Sequence, residues 1–230
     1  ALVFNIRGGD VEHTPLPLGY SIVPREGRPT VFLAPEKITN EAGDAIGAVG
    51  EIAPPADLDK QIARLGAAKA KVRLDAATAA SALATLIREA GGTPDAGTDP
   101  IALMKARKNA AELDGARNAH LRDGAVMVRY LSWLAHEAPK GGLTEIDAVA
   151  ALEAERLKTG LLKDVSFTTI AGAGPNAALP HYRVSEASNR KLEPGIFLVD
   201  SGGQYEDGTT DITRTMVIGP ATAEMRDRYT

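Results

Sequence analysis

Cysteine is absent from the 230 residues, so disulfides and thiolate metal sites are excluded, and any metal must be held by Asp, Glu or His. An excess of basic charge is also lacking. The formal net charge is −4, which argues against nonspecific binding to nucleic acid or to an anionic membrane, since both reward a basic patch. No apolar run approaches the roughly 20 residues needed to span a bilayer, and no charged segment followed by an apolar one opens the chain as a signal peptide does. These features fit a cytoplasmic protein. What is present is a globular composition, 44% hydrophobic, enough to bury a sizeable core in one large domain or two ordinary ones. Ala1 begins directly in a strand-like run, Leu2–Ile6, and 221–230 reads as a helix just started, so the expectation is a piece of a longer chain.

The first ninety residues alternate short β-like runs (2–6, 20–23, 30–34, 71–74) with helical stretches (58–65, 76–90), the pattern of an α/β domain. The segment 91–100, rich in Gly, Pro, Asp and Thr, reads as a linker and sets the expected division into 1–96 and 97–230. A long helical stretch follows, 101–137, breaking near Lys108, with Leu113, Ala116, Met127, Leu131 and Leu134 on one face. Thr144, with Asp147 three residues on, caps a second helix that stops near Gly160. Then come strands at 165–171, 196–201 and 212–218. Helices followed by hairpin strands predict an α+β domain with an antiparallel sheet.

The chemistry concentrates between Phe197 and Thr215. Asp200 ends an apolar strand, where Asp is unfavourable without a reason. Asp211 sits in the returning strand. A turn over Gln204–Asp207 would set the two directly opposite, with Cβ atoms about 4.5–5.5 Å apart on one face. Facing carboxylates repel unless a proton or cation lies between them. Divalent cations answer this, and paired metals can hold a hydroxide and polarise a carbonyl. On spacing alone, Asp200 and Asp207 could equally be turn residues and Asp211 part of a solvated face.

The full string decides. Asp200-Ser201-Gly202-Gly203-Gln204-Tyr205, then two residues and Gly208-Thr209-Thr210-Asp211-Ile212-Thr213-Arg214-Thr215, resembles the metal-binding hairpin of the Xaa-Pro aminopeptidases, in the pita-bread metallopeptidase superfamily. The run from Asp99-Pro100 through Lys105–Asn109, Glu112, Gly115 and Ala119-His120 resembles the opening of that catalytic domain. So do Trp133-Leu134 and Lys140–Glu145. Gly174–Ala178 with His181-Tyr182 resembles its substrate-side loop, and Phe4–His13 resembles the preceding domain of the three-domain members.

The resemblance implies an α/β N-terminal domain followed by part of an α+β pita-bread (creatinase/aminopeptidase-like) catalytic domain. It implies two divalent ions, Mn²⁺ first with Zn²⁺ or Co²⁺ as alternatives, one bound by Asp200 and both bridged by Asp211. His181 would be catalytic and substrate-binding, holding substrate or steadying the tetrahedral intermediate. The substrate would be a peptide with proline in second position, and the assembly a homodimer, with neither nucleic acid nor membrane as partner. The family's remaining His and two Glu ligands would lie beyond Thr230. An Xaa-Pro dipeptidase and a non-catalytic peptide-binding module are the alternatives. Among the other candidates, His120 is expected to be a hydrogen-bonded core residue, His136 a surface residue at a helix end, and His13 structural or near a substrate entrance. Arg214 pairs with a ligand carboxylate or is simply exposed.

Overall fold

The computed structural model describes residues 2–229, which form two compact units that divide between Lys108 and Asn109. Among the described residues no helix is long and apolar enough to cross a membrane.

In the first unit β1 (Tyr20–Ile22) pairs antiparallel with β2 (Thr30–Phe32), and β2 pairs parallel with β3 (Glu51–Ala53) across the connecting helix α1 (Asn40–Val49). Phe4, Ile6, Val31, Leu33 and Ile46 close a small core there. The run 2–6, expected as a strand, is instead a 3-10 turn over Leu2–Phe4, because Asn5 takes a left-handed backbone (φ +48°) that ends any extended run. Next come α2 (Leu58–Ala67), β4 (Lys71–Asp75), α3 (Ser81–Glu89), β5 (Thr93–Gly97) and α4 (Pro100–Ala106). Helix α3 starts later than its composition suggests. The Asp75 carboxylate collects the Ala77 and Thr78 amides and the Thr78 hydroxyl, holding 76–80 in a turn. The Gly- and Pro-rich segment expected as a linker is β5, paired in parallel with β4 from Lys71↔Thr93 to Asp75↔Gly97. The two units divide after Lys108, later than the composition boundary near Ala96.

The second unit opens with α5 (Ala110–Glu137). Its start is fixed by a capping box in which the Asn109 side chain accepts from the Glu112 amide while the Glu112 carboxylate accepts from the Asn109 amide. Helix α6 (Glu145–Leu157) begins with the expected Thr144–Asp147 box. Four strands follow the short strand β6 (Asp164–Val165): β7 (Ile170–Ala173), β8 (Gly195–Ser201), β9 (Gly203–Gln204) and β10 (Ile212–Ile218). The chain then enters α7 (Ala223–Tyr229). The sheet runs β10-β8-β7, antiparallel throughout, and β9 pairs with β6. Alternation along β8 sends Phe197, Val199 and Ser201 to the buried side. There Phe197 and Val199 meet Val126, Met127, Tyr130 and Leu134 of α5, and Ala148 and Leu152 of α6. Trp133 packs against the same core and stacks on Tyr130, with ring centroids 6.0 Å apart.

Candidate metal centre

The alternation that buries Phe197, Val199 and Ser201 turns Asp200 to the other side of the sheet, where it is half-buried. The hairpin closes one residue later than the symmetric spacing predicts. The Tyr205 amide donates to the Gly208 carbonyl at 2.9 Å, so the two-residue loop is Glu206-Asp207. Moving a turn by one residue moves the register by two. Asp200 therefore faces Thr213, not Asp211, and Ser201 faces Ile212. The expected directly opposed pair becomes a diagonal one. A two-residue shift preserves the face of a pleated strand, so the two aspartates still share a side. Their proximity is visible electrostatically. Asp211 is an exposed residue, yet its carboxyl is pushed above the usual carboxylate range, first by partial desolvation and then by the charge and hydrogen-bonding reach of Asp200, with His120 pulling the other way. Asp200 Oδ1 also accepts a 2.7 Å hydrogen bond from Thr213 Oγ1.

The hairpin is seated on α5. Arg122 donates to both Asp207 oxygens, at 3.0 and 2.8 Å, and lies 4.9 Å from the centre of the Tyr205 ring. That guanidinium holds the Asp207 carboxyl below its ordinary range. Burial pushes the Tyr205 hydroxyl up to about 12, and it donates to Asp123 at 3.1 Å. Close approach needs residues without side chains. A Cβ on Gly115 of α5 would collide with the Asp207 carbonyl, and one on Gly202 with the Thr210 carbonyl and Ser166 Oγ. Gly202→Ala is expected to destabilise the protein by at least the roughly 1–3 kcal/mol of an overpacked site, checked by urea unfolding. A variant as stable as the parent would mean that the hairpin relaxes freely there.

His181 is exposed and takes a left-handed backbone, φ +56°, uncommon for a residue with a Cβ. Its loop is tied down from beneath. The fully buried Glu145 carboxylate accepts from the Ala173 amide at 2.7 Å, from Tyr182 Oη at 2.8 Å, from Asn176 Nδ2 and from the Arg190 amide. Among the described residues no hydrogen bond or ion pair joins His181 to Asp200 or Asp211, and no three His, Asp or Glu side chains converge to hold a metal ion. The two aspartates fit a hard divalent cation as part of its donor set: oxygen ligands, side by side, one of them destabilised as a charge. His120, expected in the core, is exposed instead, its Nδ1 2.8 Å from the Ala116 carbonyl, and near enough to Asp211 to act on its charge. The long helix turns Ala119 and Asp123 inward, which carries His120 out. His136 is exposed in the last turn of α5, as expected. Arg214 is exposed and donates to its neighbour's carbonyl rather than to a carboxylate.

Known proteins agree with this architecture. Residues 114–230 match the model of metallopeptidase family M24, and residues 1–112 that of the creatinase/prolidase N-terminal domain. A probable Xaa-Pro aminopeptidase P of Sordaria macrospora is 36% identical over the whole chain, which covers 39% of that protein. Aminopeptidase P2 of Arabidopsis thaliana is 34% identical, with 36% of it covered. An X-prolyl aminopeptidase from Caenorhabditis elegans, described as a cytosolic enzyme with a di-nuclear active site, superposes with a TM-score of 0.87 at 33% identity over 96% of this chain and 37% of its own. A prolidase from Pyrococcus furiosus, at 20% identity and a TM-score of 0.69 over 99% of this chain and 63% of its own, shares the fold. The chain thus spans well under half the length of the curated relatives it matches. With an N-terminal creatinase-type domain, part of a pita-bread domain behind it and the aspartate hairpin within that part, the chain belongs to metallopeptidase family M24.

Proposed function

We propose that the full-length protein is a dinuclear-metal aminopeptidase that removes the first residue from peptides with proline in second position. The observation that carries this is the diagonal pair Asp200 and Asp211 on one hairpin face, the second with its carboxyl pushed up beside the first. The 36% and 34% identity to proteins named as aminopeptidases P supports the substrate class. Asp200 would hold one metal and Asp211 would bridge two. Manganese is the preferred metal, with zinc or cobalt as alternatives. A His and two Glu supplied from outside residues 1–230 would complete the donor set. When bound, the ions supply Lewis acidity toward the scissile carbonyl and an activated water. His181, on a loop that Glu145 and Tyr182 anchor, binds substrate and steadies charge developing on the carbonyl oxygen. Cytoplasmic location is supported by the nematode relative's description as a cytosolic enzyme. A homodimer rests on the resemblance alone.

The test is hydrolysis by the full-length protein, stripped with chelator and then reloaded with Mn²⁺. The first residue should be released from a tripeptide with proline second and from its alanine counterpart at rates differing by at least roughly 100-fold. Chelation should abolish release. Equal cleavage of both peptides, or cleavage that survives chelation, would overturn the proposal, and exclusive cleavage of the Xaa-Pro dipeptide would redirect it to a dipeptidase.

A further inference from the structure

Behind the two aspartates lies a buried ion pair that the proposed chemistry does not use. Arg156 of α6 donates from Nε and Nη2 to the two Asp123 oxygens, at 2.8 and 3.1 Å, and both side chains are fully buried. Each partner also reaches the hairpin. Arg156 Nη2 donates to Ser201 Oγ at 3.0 Å, and Asp123 Oδ2 accepts from Thr210 Oγ1 at 2.6 Å. Ser201 and Thr210 are wholly buried, and they are the chain neighbours of Asp200 and Asp211. One chain of hydrogen bonds, Ser201–Arg156–Asp123–Thr210, therefore crosses the back of the hairpin at the two residues that abut the aspartates.

The backbone explains why such a grip is needed there. Strand β8 ends at Ser201 and β10 starts at Ile212, so Gly202 and Asp211 stand outside both strands. The Gly202 carbonyl turns away to accept from the Ser166 amide at 3.1 Å, and pairing resumes only where the Thr210 amide donates to the Gly203 carbonyl. Asp211 thus sits where the ladder is interrupted. It is anchored instead through Thr210, whose hydroxyl accepts from the Gly203 amide at 2.9 Å while donating to Asp123.

We infer that Asp123, Arg156, Ser201 and Thr210 are positioning residues for metal binding: they hold the Asp200 and Asp211 carboxylates at one spacing against their mutual repulsion. The inference rests on the reading of those aspartates as ligands. Outer partners of metal ligands typically govern 10–100-fold of affinity. The experiment is titration of the chelator-stripped full-length protein with Mn²⁺, by calorimetry and by the Mn²⁺ electron paramagnetic resonance signal, in the parent and in Thr210→Val, Thr210→Ser and Ser201→Ala. These variants leave the ion pair in place, and circular dichroism verifies that they fold. Thr210→Val should weaken Mn²⁺ binding about tenfold or more and alter the signal of bound Mn²⁺. Ser201→Ala should weaken it less, and Thr210→Ser, which keeps the hydroxyl, should restore it. Mn²⁺ affinity within twofold of the parent in a folded Thr210→Val protein, with thermal stability alone reduced, would overturn the positioning role. Should the parent itself bind no Mn²⁺, or bind it equally well with Asp200→Asn and Asp211→Asn, the reading of the aspartates as ligands fails, and the inference with it.

Discussion

Replacing Asp211 by Asn should abolish metal binding in the full-length protein and at the same time stabilise its metal-free form. The two effects have one cause. The Asp211 carboxyl is pushed up by partial desolvation and by Asp200, so its charged form is disfavoured in the fold relative to the unfolded chain. A folded pKa raised in this way stabilises the fold only while the carboxyl is protonated, and that contribution is lost as pH rises through the folded pKa. At neutral pH the charge therefore works against folding, and the isosteric amide removes it while keeping shape and hydrogen-bonding capacity. Metal binding needs the opposite, a carboxylate, and its loss should exceed the roughly 10–100-fold that outer partners cost. The checks are a Mn²⁺ titration and a thermal melt in chelator. The melt should move upward in Asp211→Asn, and the upward shift should shrink when both proteins are melted at acid pH. A downward shift in chelator would mean that Asp211 serves the fold rather than a cation. Asp200→Asn should lose metal just as completely. Its carboxylate also accepts from Thr213, so part of any stabilisation is offset by a weakened hydrogen bond.

The sequence already held the elements whose signals are local. The Thr144–Asp147 box and the β-rich runs around 196–201 and 212–218 are matched by the structure, and the apolar face of α5 is matched at Met127 and Leu134 though not at Leu113, which is exposed. What local signals could not supply was register. The turn could close over either of two neighbouring centres, and only the seat on α5, through Arg122–Asp207 and the glycines at 115 and 208, selects Glu206-Asp207. In the same way Thr93–Gly97 carries linker composition yet becomes a strand, because β4 lies alongside to accept its backbone. The buried polar groups were missed for a different reason. Asp123 stands four residues after Ala119 and three and four before Val126 and Met127, on the buried stripe. Arg156 follows Ala148 and Leu152 at the same step. A charge on an apolar stripe is a legible signal, but each charge alone is ambiguous. Only the packing of α5 against α6 reveals that the two complete each other, just as Glu145 becomes meaningful only beside Tyr182 and Asn176.

Arg156→Met should destabilise the protein by about 3–5 kcal/mol at neutral pH, the range for leaving one member of a buried pair uncompensated. Four donated hydrogen bonds converge on Asp123, two from Arg156 and one each from Thr210 and Tyr205. Burial pushes the Asp123 carboxyl up, but these bonds and the Arg156 charge outweigh it and hold the group below its ordinary value of 3.8. A depressed carboxylate contributes stability above the unfolded pKa and loses it as pH falls through the folded one. Without Arg156 the balance inverts, and buried Asp123 takes up a proton more readily than a free aspartate. The gap between parent and variant in urea unfolding should therefore be widest near pH 7 and close steadily as the pH falls toward and below 3.8. Removing both charges, as in Asp123→Leu with Arg156→Met, should not restore full stability as it does for simple buried pairs. The Tyr205 hydroxyl would be left buried without an acceptor, and the Thr210 hydroxyl with only the Gly203 carbonyl at 3.5 Å, together costing about 1–3 kcal/mol. A double variant as stable as the parent would show that the pair acts only on itself, and that the hairpin is held by its glycines and backbone alone.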